Sequence, residues 1–138
     1  MTESGLQTAT LNPEGQTFKL LGRELGVTTF GLNLITLRPK QRLRIHLHER
    51  QEEVYLVIEG ELTLIVEGKD HVLGQGTLAR VAPKLRRQLT NPGDERVLVL
   101  AGGTSGEHEA RDARAWATWD EEGQGRSPQE VPLPADLP

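Results

Sequence analysis

The sequence predicts an all-β fold over residues 15–102, a sandwich or barrel of antiparallel strands. Three observations point there. Short apolar runs recur, separated by turn residues roughly every 8–12 positions. The stretch 42–48 (RLRIHLH) alternates, with Leu43, Ile45 and Leu47 on one face and Arg44, His46 and His48 on the other. No segment before residue 107 sustains a helical period.

The elements follow in order. Residues 1–14 are polar, carry Gly5, Asn12 and Pro13, and read as a flexible arm. Strands are expected over 17–22, 28–37, 42–48, 53–59, 61–67, 70–73, 77–82, 86–91 and 95–101. Gly60 separates two of them. Glu67-Gly68-Lys69-Asp70 reads as a hairpin turn and Asn91-Pro92-Gly93-Asp94 as another. The run Val97-Leu98-Val99-Leu100 is apolar on both faces, so a second sheet or a partner subunit is expected to cover each side. The extension 103–138 changes texture. A short helix is expected near 111–122, with Trp116 and Trp119 on one face as anchors onto the body. Residues 123–138 hold Pro128, Pro132, Pro134 and Pro138 and read as an extended, poorly ordered tail.

Composition excludes several functions. Net charge is −4, from 16 basic and 20 acidic residues, which opposes binding to phosphate backbones, so no nucleic-acid partner is expected. Cysteine is absent, ruling out disulfides, thiolate metal sites and cysteine nucleophiles. No run is long enough to span a bilayer and no N-terminal stretch resembles a signal peptide. The expected location is therefore cytoplasmic, with no membrane partner. Gly74 and Gly76 precede a strand rather than a helix, so a nucleotide fingerprint fails. Ser4, Ser105 and Ser127 have no base paired with them in sequence. Arg38, Lys40, Arg42, Arg44 and Arg50 read as a solvated strand face or as interface salt bridges.

The chemistry concentrates at 46–60, HLHERQEEVYLVIEG. Two side chains at i and i+2 on a strand point the same way, with Cα atoms roughly 6.5 Å apart. Their imidazoles can converge on one ion, about 2.0–2.1 Å from each nitrogen. Glu53 opens the next strand and can supply a third ligand from an adjoining strand. Nitrogen and carboxylate donors suit zinc, iron, manganese, nickel or copper. The alternative is a pair of half-buried strand histidines hydrogen-bonded to Glu53, Tyr55 or water. Tyr55 shares the parity of Glu53 and is expected on the same side. His71, beside a hairpin tip, is expected to be exposed, and His108 is a further candidate ligand.

With those residues in place, the chain resembles the cupin family. The family's first motif is glycine, five residues, HxH, three or four residues, glutamate, six residues, glycine. His46, His48, Glu53 and Gly60 match it, with Lys40 at the first glycine. The second motif is glycine, five residues, proline, one, glycine, two, histidine, three, asparagine. Gly76 and Asn91 fit its ends, while Ala82, Lys84 and Arg87 stand at the proline, glycine and histidine. The resemblance covers residues 28–102. It implies a double-stranded β-helix, or jelly-roll, barrel of two antiparallel sheets, with a short C-terminal helix and an extended tail added here. It also implies inward-facing metal ligands at His46, His48 and Glu53. The fourth family position is Arg87, which has no lone pair to offer and is not a ligand. Pointing inward, it is expected to pair with Glu53. Turned otherwise, it faces out or holds an anionic group of a ligand.

Three functions compete under this resemblance. One is a small-molecule-binding barrel, a homodimer, with a pocket of His46, His48, Glu53, Tyr55 and Arg87 suited to an anionic organic ligand. The homodimer follows from the need to cover an apolar face such as Leu43, Ile45 and Leu47. Another is a metal-dependent enzyme of dioxygenase, isomerase or decarboxylase type. The third is a sensing or interaction module that uses residues 103–138.

Overall fold

Backbone pairing turns the sequence runs into two layers. The computed structural model describes residues 5–104 and 112–138. In chain order the elements are β1 (Phe18–Lys19), α1 (Leu21–Leu25), β2 (Phe30–Leu37), β3 (Ile45–His48), β4 (Glu53–Glu59), β5 (Leu62–Val66), β6 (Lys69–Leu73), β7 (Leu78–Val81), β8 (Arg87–Thr90), β9 (Val97–Thr104) and β10 (Ala113–Trp116). One sheet runs β1-β2-β9-β4-β7 and the other β10-β3-β8-β5-β6. Every pairing is antiparallel. The architecture is the expected all-β jelly-roll barrel.

The period of two sorts side chains between the layers. Ile35 and Leu37, Tyr55 and Val57, Leu62 and Leu64, Leu89, Val97, Val99 and Ala101 meet in one core. Each fully buried aliphatic side chain there contributes about 1.5–3 kcal/mol of hydrophobic stabilisation. The opposite parity of the first sheet is covered differently from expectation. Leu34 and Leu98 pack under Leu21 of α1, so the doubly apolar β9 lies between the second sheet and a five-residue helix. The run 17–22 was expected as a strand throughout. It pairs for two residues and then turns into α1, which ends where Gly26 takes φ 80°.

Turns fall where glycine and asparagine predict them. Glu67 and Gly68, at φ 51° and 81°, make the two-residue turn that joins β5 to β6. Gly60 holds φ 84°, and a Cβ there would stand 2.5 Å from the Arg96 carbonyl oxygen. Asn91 is 1% exposed, and its amide nitrogen donates to the carbonyls of Leu37, Arg38 and Glu95 at 3.2, 3.1 and 2.8 Å. Lys40 and Lys84 keep positive φ values of 69° and 71° although neither is glycine. Both stand where the motifs carry glycine, and both take the left-handed conformation that glycine adopts most readily.

The C-terminal extension corrects two expectations. Where a helix was expected near 111–122, residues 113–116 form β10, with Ala113 paired to His48 and Trp116 to Ile45. The open edge of β3 offers unpaired backbone groups, and pairing with them outweighs the local helical preference of an alanine-rich stretch. Trp116 is 2% exposed beneath the Arg86 guanidinium, 3.9 Å from its ring centre. Trp119 donates to the Gln88 side chain at 3.0 Å, so both tryptophans anchor the extension as expected.

The tail is extended and is held along the barrel. Arg38 pairs with Asp136 at 3.2 Å, Arg42 donates to the Ala135 carbonyl at 2.8 Å, and Arg44 donates to that of Val131. Arg38, Arg42 and Arg44 therefore hold the protein's own tail, while Lys40 pairs with Asp94. Leu43 and Ile45 are 4% and 2% exposed within the single chain, so they require no second copy to cover them. The expected alternation also breaks here. Leu43 joins the inner core and Arg44 borders the same cavity, so regular alternation begins at Ile45. Residues 1–4 of the expected N-terminal arm, which include Ser4, and Ser105 and His108 lie outside the described residues. Among the described residues, no helix is long and apolar enough to cross a membrane.

Candidate metal and ligand site

β3 and β4 sit in opposite sheets, and this decides the geometry. His46 and His48 project from β3 into the barrel, and Glu53 reaches them from across the interior, not from an adjoining strand. The two imidazole rings stand edge to face, with centres 5.2 Å apart. Glu53 Oε1 lies 3.6 Å from His46 Nε2 and 3.3 Å from His48 Nε2. One ligand atom from each of the three residues falls within 4.8 Å of the others.

The rest of the Glu53 environment is polar and buried. The Tyr55 hydroxyl, on a side chain 1% exposed, donates to Glu53 Oε1 at 2.5 Å. Arg87 stands opposite His46 in the β3–β8 pairing and points inward. It is fully buried, lies 3.4 Å from the same Glu53 oxygen, and donates to the Ala82 carbonyl at 2.9 Å. Of the orientations open to it from the sequence, the structure shows the pairing with Glu53. It does not border the cavity, so direct ligand contact by Arg87 is not supported by its position. Burial pushes the Glu53 carboxyl up, but the hydrogen bonds and charges of His46 and His48 outweigh it and hold the group well below the usual carboxylate range. Burial, with the neighbouring Glu53 charge, pushes the Tyr55 hydroxyl well above its ordinary value.

The cavity measures about 230 Å³ and is bordered by His46, His48, Glu53 and Tyr55, with Arg44 and Pro128 also on its wall. Apolar side chains, Ile35, Leu43 and Leu89 among them, form the remainder. Sequence reasoning missed Arg44 as a wall residue, because its parity put it only on the face of the histidines. It also missed Asp112, whose Oδ2 lies 3.4 Å from His48 Nδ1. No spacing rule connects position 112 to position 48. His71 is exposed on β6, as expected, and remote from this group.

The donor set fits a divalent ion. His46 Nδ1 has the Arg44 carbonyl at 3.4 Å and His48 Nδ1 has the Asp112 carboxylate at 3.4 Å. Once each ring gives up the ε proton that it shares with Glu53, the acceptors on the δ side hold the remaining proton and the ε lone pairs are left for an ion. Two neutral imidazoles and one carboxylate are a three-donor set with coordination positions to spare. Arg87 adds positive charge behind Glu53 and no donor atom.

Comparison with known proteins agrees with this architecture. The family model described as Cupin domain matches residues 33–103. A β-D-galactosidase of Mycobacterium tuberculosis is 35% identical over 88 residues, covering 63% of this chain and 75% of that protein. The crystal structure of a sugar phosphate isomerase from a cupin superfamily, from Silicibacter pomeroyi, is 32% identical with a TM-score of 0.59. It is matched over 64% of this chain, which spans only 59% of that protein's length. A cupin protein of Bacteroides fragilis shares the fold over 90% of this chain and 99% of its own, at 18% identity and a TM-score of 0.66.

Proposed function

The chain belongs to the cupin domain family, and on that premise we propose that its barrel binds an anionic, sugar-derived small molecule at His46, His48, Glu53 and Tyr55. The observation that carries this is the convergence of two imidazoles and one carboxylate in a mostly apolar cavity, with a buried guanidinium behind the carboxylate. The charges support the choice of an anion. Arg87 neutralises Glu53, so protonation of a histidine or arrival of a dication leaves the floor positive. Arg44 on the wall adds a second cation and replaces Arg87 as the group that would touch the ligand. The names of the galactosidase and isomerase relatives support a sugar framework.

His46, His48 and Glu53 would hold a divalent ion through their ε nitrogens and carboxylate. Bound there, the ion would supply Lewis acidity toward a ligand oxygen. The protein's own groups orient the ligand. Tyr55 presents a neutral hydroxyl, Arg44 meets negative charge, and the apolar wall excludes water. A metal-dependent isomerase is the second reading, favoured by the coordination positions that three donors leave free. A second copy of the chain would cover the outer face of the first sheet, where Phe30, Val54 and Leu78 remain 47%, 40% and 66% exposed.

Thermal shift with sugar phosphates, sugar acids and matched neutral sugars, with and without Zn²⁺ or Mn²⁺, tests the binding reading. Anionic sugars should raise Tm, and Arg44→Gln should remove most of that rise. Equal responses to neutral and anionic sugars would contradict it. His46→Ala should abolish metal uptake while the fold survives. Equal metal content in variant and parent would remove the ligand set. Conversion of an aldose phosphate to a ketose phosphate by the metal-loaded protein would select the isomerase reading.

A further inference from the structure

We infer that Asp112, in the C-terminal extension, is a positioning residue that places the His48 proton on Nδ1 and reserves Nε2 for the cavity. This rests on the reading of that cavity as the ligand site. Asp112 lies outside the residues that match the family model, 33–103, immediately before β10.

Two sets of contacts support it. The first is mechanical. The Asp112 carboxylate accepts the backbone N–H groups of Arg50 and Gln51 at 2.9 and 3.1 Å, and its carbonyl accepts that of Glu49 at 2.9 Å. These three residues belong to the connection between the histidine strand and Glu53. One residue, through its side chain and its carbonyl, thus clamps the segment that sets the spacing of the candidate ligands.

The second is electrostatic. The His48 ring lies between two carboxylates, with Nδ1 3.4 Å from Asp112 Oδ2 and Nε2 3.3 Å from Glu53 Oε1. A neutral imidazole carries one N–H and can satisfy only one of them. Glu53 Oε1 already accepts from Tyr55 and Arg87. Asp112 Oδ2 accepts one neutral backbone N–H, and among the described residues no guanidinium or ammonium pairs with it, so it attracts the single proton more strongly than Glu53 Oε1 does. His48 Nδ1 is buried with no other partner, so a lone pair there would face the charged Asp112 Oδ2, whose one other contact is the Gln51 N–H. With the proton on Nδ1, the Nε2 lone pair enters the cavity in the form that a metal ion or a ligand hydroxyl requires.

The test is the His48 tautomer, read by long-range ¹H–¹⁵N correlation on ¹⁵N-histidine protein, the neutral ring being recognised by its two unequal nitrogen shifts. A His48→Gln sample assigns the signal. The wild-type protein should show Nδ1–H. Asp112→Ala removes the acceptor, and Asp112→Asn can turn an amide N–H toward Nδ1. Both should shift His48 toward Nε2–H. Asn keeps one acceptor for the clamped backbone, so it remains informative where Ala fails to fold. Nε2–H in the wild type, or an unchanged tautomer in folded Asp112→Asn, overturns the inference. Co²⁺ titration gives a second readout, with affinity expected to fall about 10–100-fold in Asp112→Asn. Wild-type protein that takes up no Co²⁺ would count against the metal reading, while the tautomer shift would still decide the role of Asp112.

Discussion

Replacing Arg87 with Met and Glu53 with Gln, singly and together, probes the charge pair beneath the cavity. At 3.4 Å and an effective dielectric constant of about 20, the gross attraction is about 5 kcal/mol. Desolvation of two charges in the barrel opposes it. Arg87→Met leaves the Glu53 charge without its guanidinium and the Ala82 carbonyl without a donor. Removing one partner of a buried pair costs about 3–5 kcal/mol. Tyr55 and the histidines still surround Glu53, which places this variant near the lower end of that range. Glu53→Gln strands a fully buried guanidinium and should cost at least as much. The double variant removes both charges, so its loss should fall short of the sum by about 2–3 kcal/mol. Urea unfolding at neutral pH, followed by the fluorescence of Trp116 and Trp119, measures all four proteins. Additivity within about 0.5 kcal/mol would refute the pair as the reason that an arginine occupies this position.

Tyr55 is the only tyrosine in the chain, so absorbance at alkaline pH reports it alone. Its raised folded value means that the folded protein keeps a proton that the unfolded chain releases. Stability should therefore fall as pH rises above about 10, and phenolate absorbance should appear only with unfolding. Ionisation at the free-tyrosine value in folded protein would contradict the buried hydroxyl. Lys84→Gly should be neutral or stabilising by up to about 1 kcal/mol, since relief of the left-handed backbone offsets the added freedom of the unfolded chain. A loss above about 1 kcal/mol in urea melts would show that the lysine side chain matters more than its backbone. Gly60→Ala combines φ 84° with a Cβ 2.5 Å from the Arg96 carbonyl oxygen and should cost more than about 2 kcal/mol in the same assay. A wild-type midpoint would mean that the β4–β5 turn can relax.

Local rules carried much of the fold into view. Tyr55 could be put on the side of Glu53 because parity along a strand is set by the pleat, whereas the run 97–100, apolar on both faces, left its inward side to the structure, which places Val97 and Val99 in the core and Leu98 under α1. The β5–β6 hairpin was legible because Glu67-Gly68 is a two-residue turn that tolerates positive φ. Parity also put His46 with His48 and Glu53 with Tyr55, and the cupin resemblance implied that the histidines and Glu53 face inward. Local rules failed at 17–22 and 113–116, where packing on β2 and the free edge of β3 overrode local preference.

By itself, the sequence determined which residues alternate, where the chain can turn, and that an arginine stands where the family's fourth ligand would be. Only the tertiary structure decided that Glu53 meets the histidines across the barrel, that Arg87 is buried behind it, that Asp112 stands against His48, and that Pro128 of the tail completes the wall. The physical reason is range. Pleat and turn conformations arise from neighbouring residues, whereas a charge's partner is whatever the folded chain brings within a few ångströms of it, and Asp112 is linked to His48 by no local periodicity.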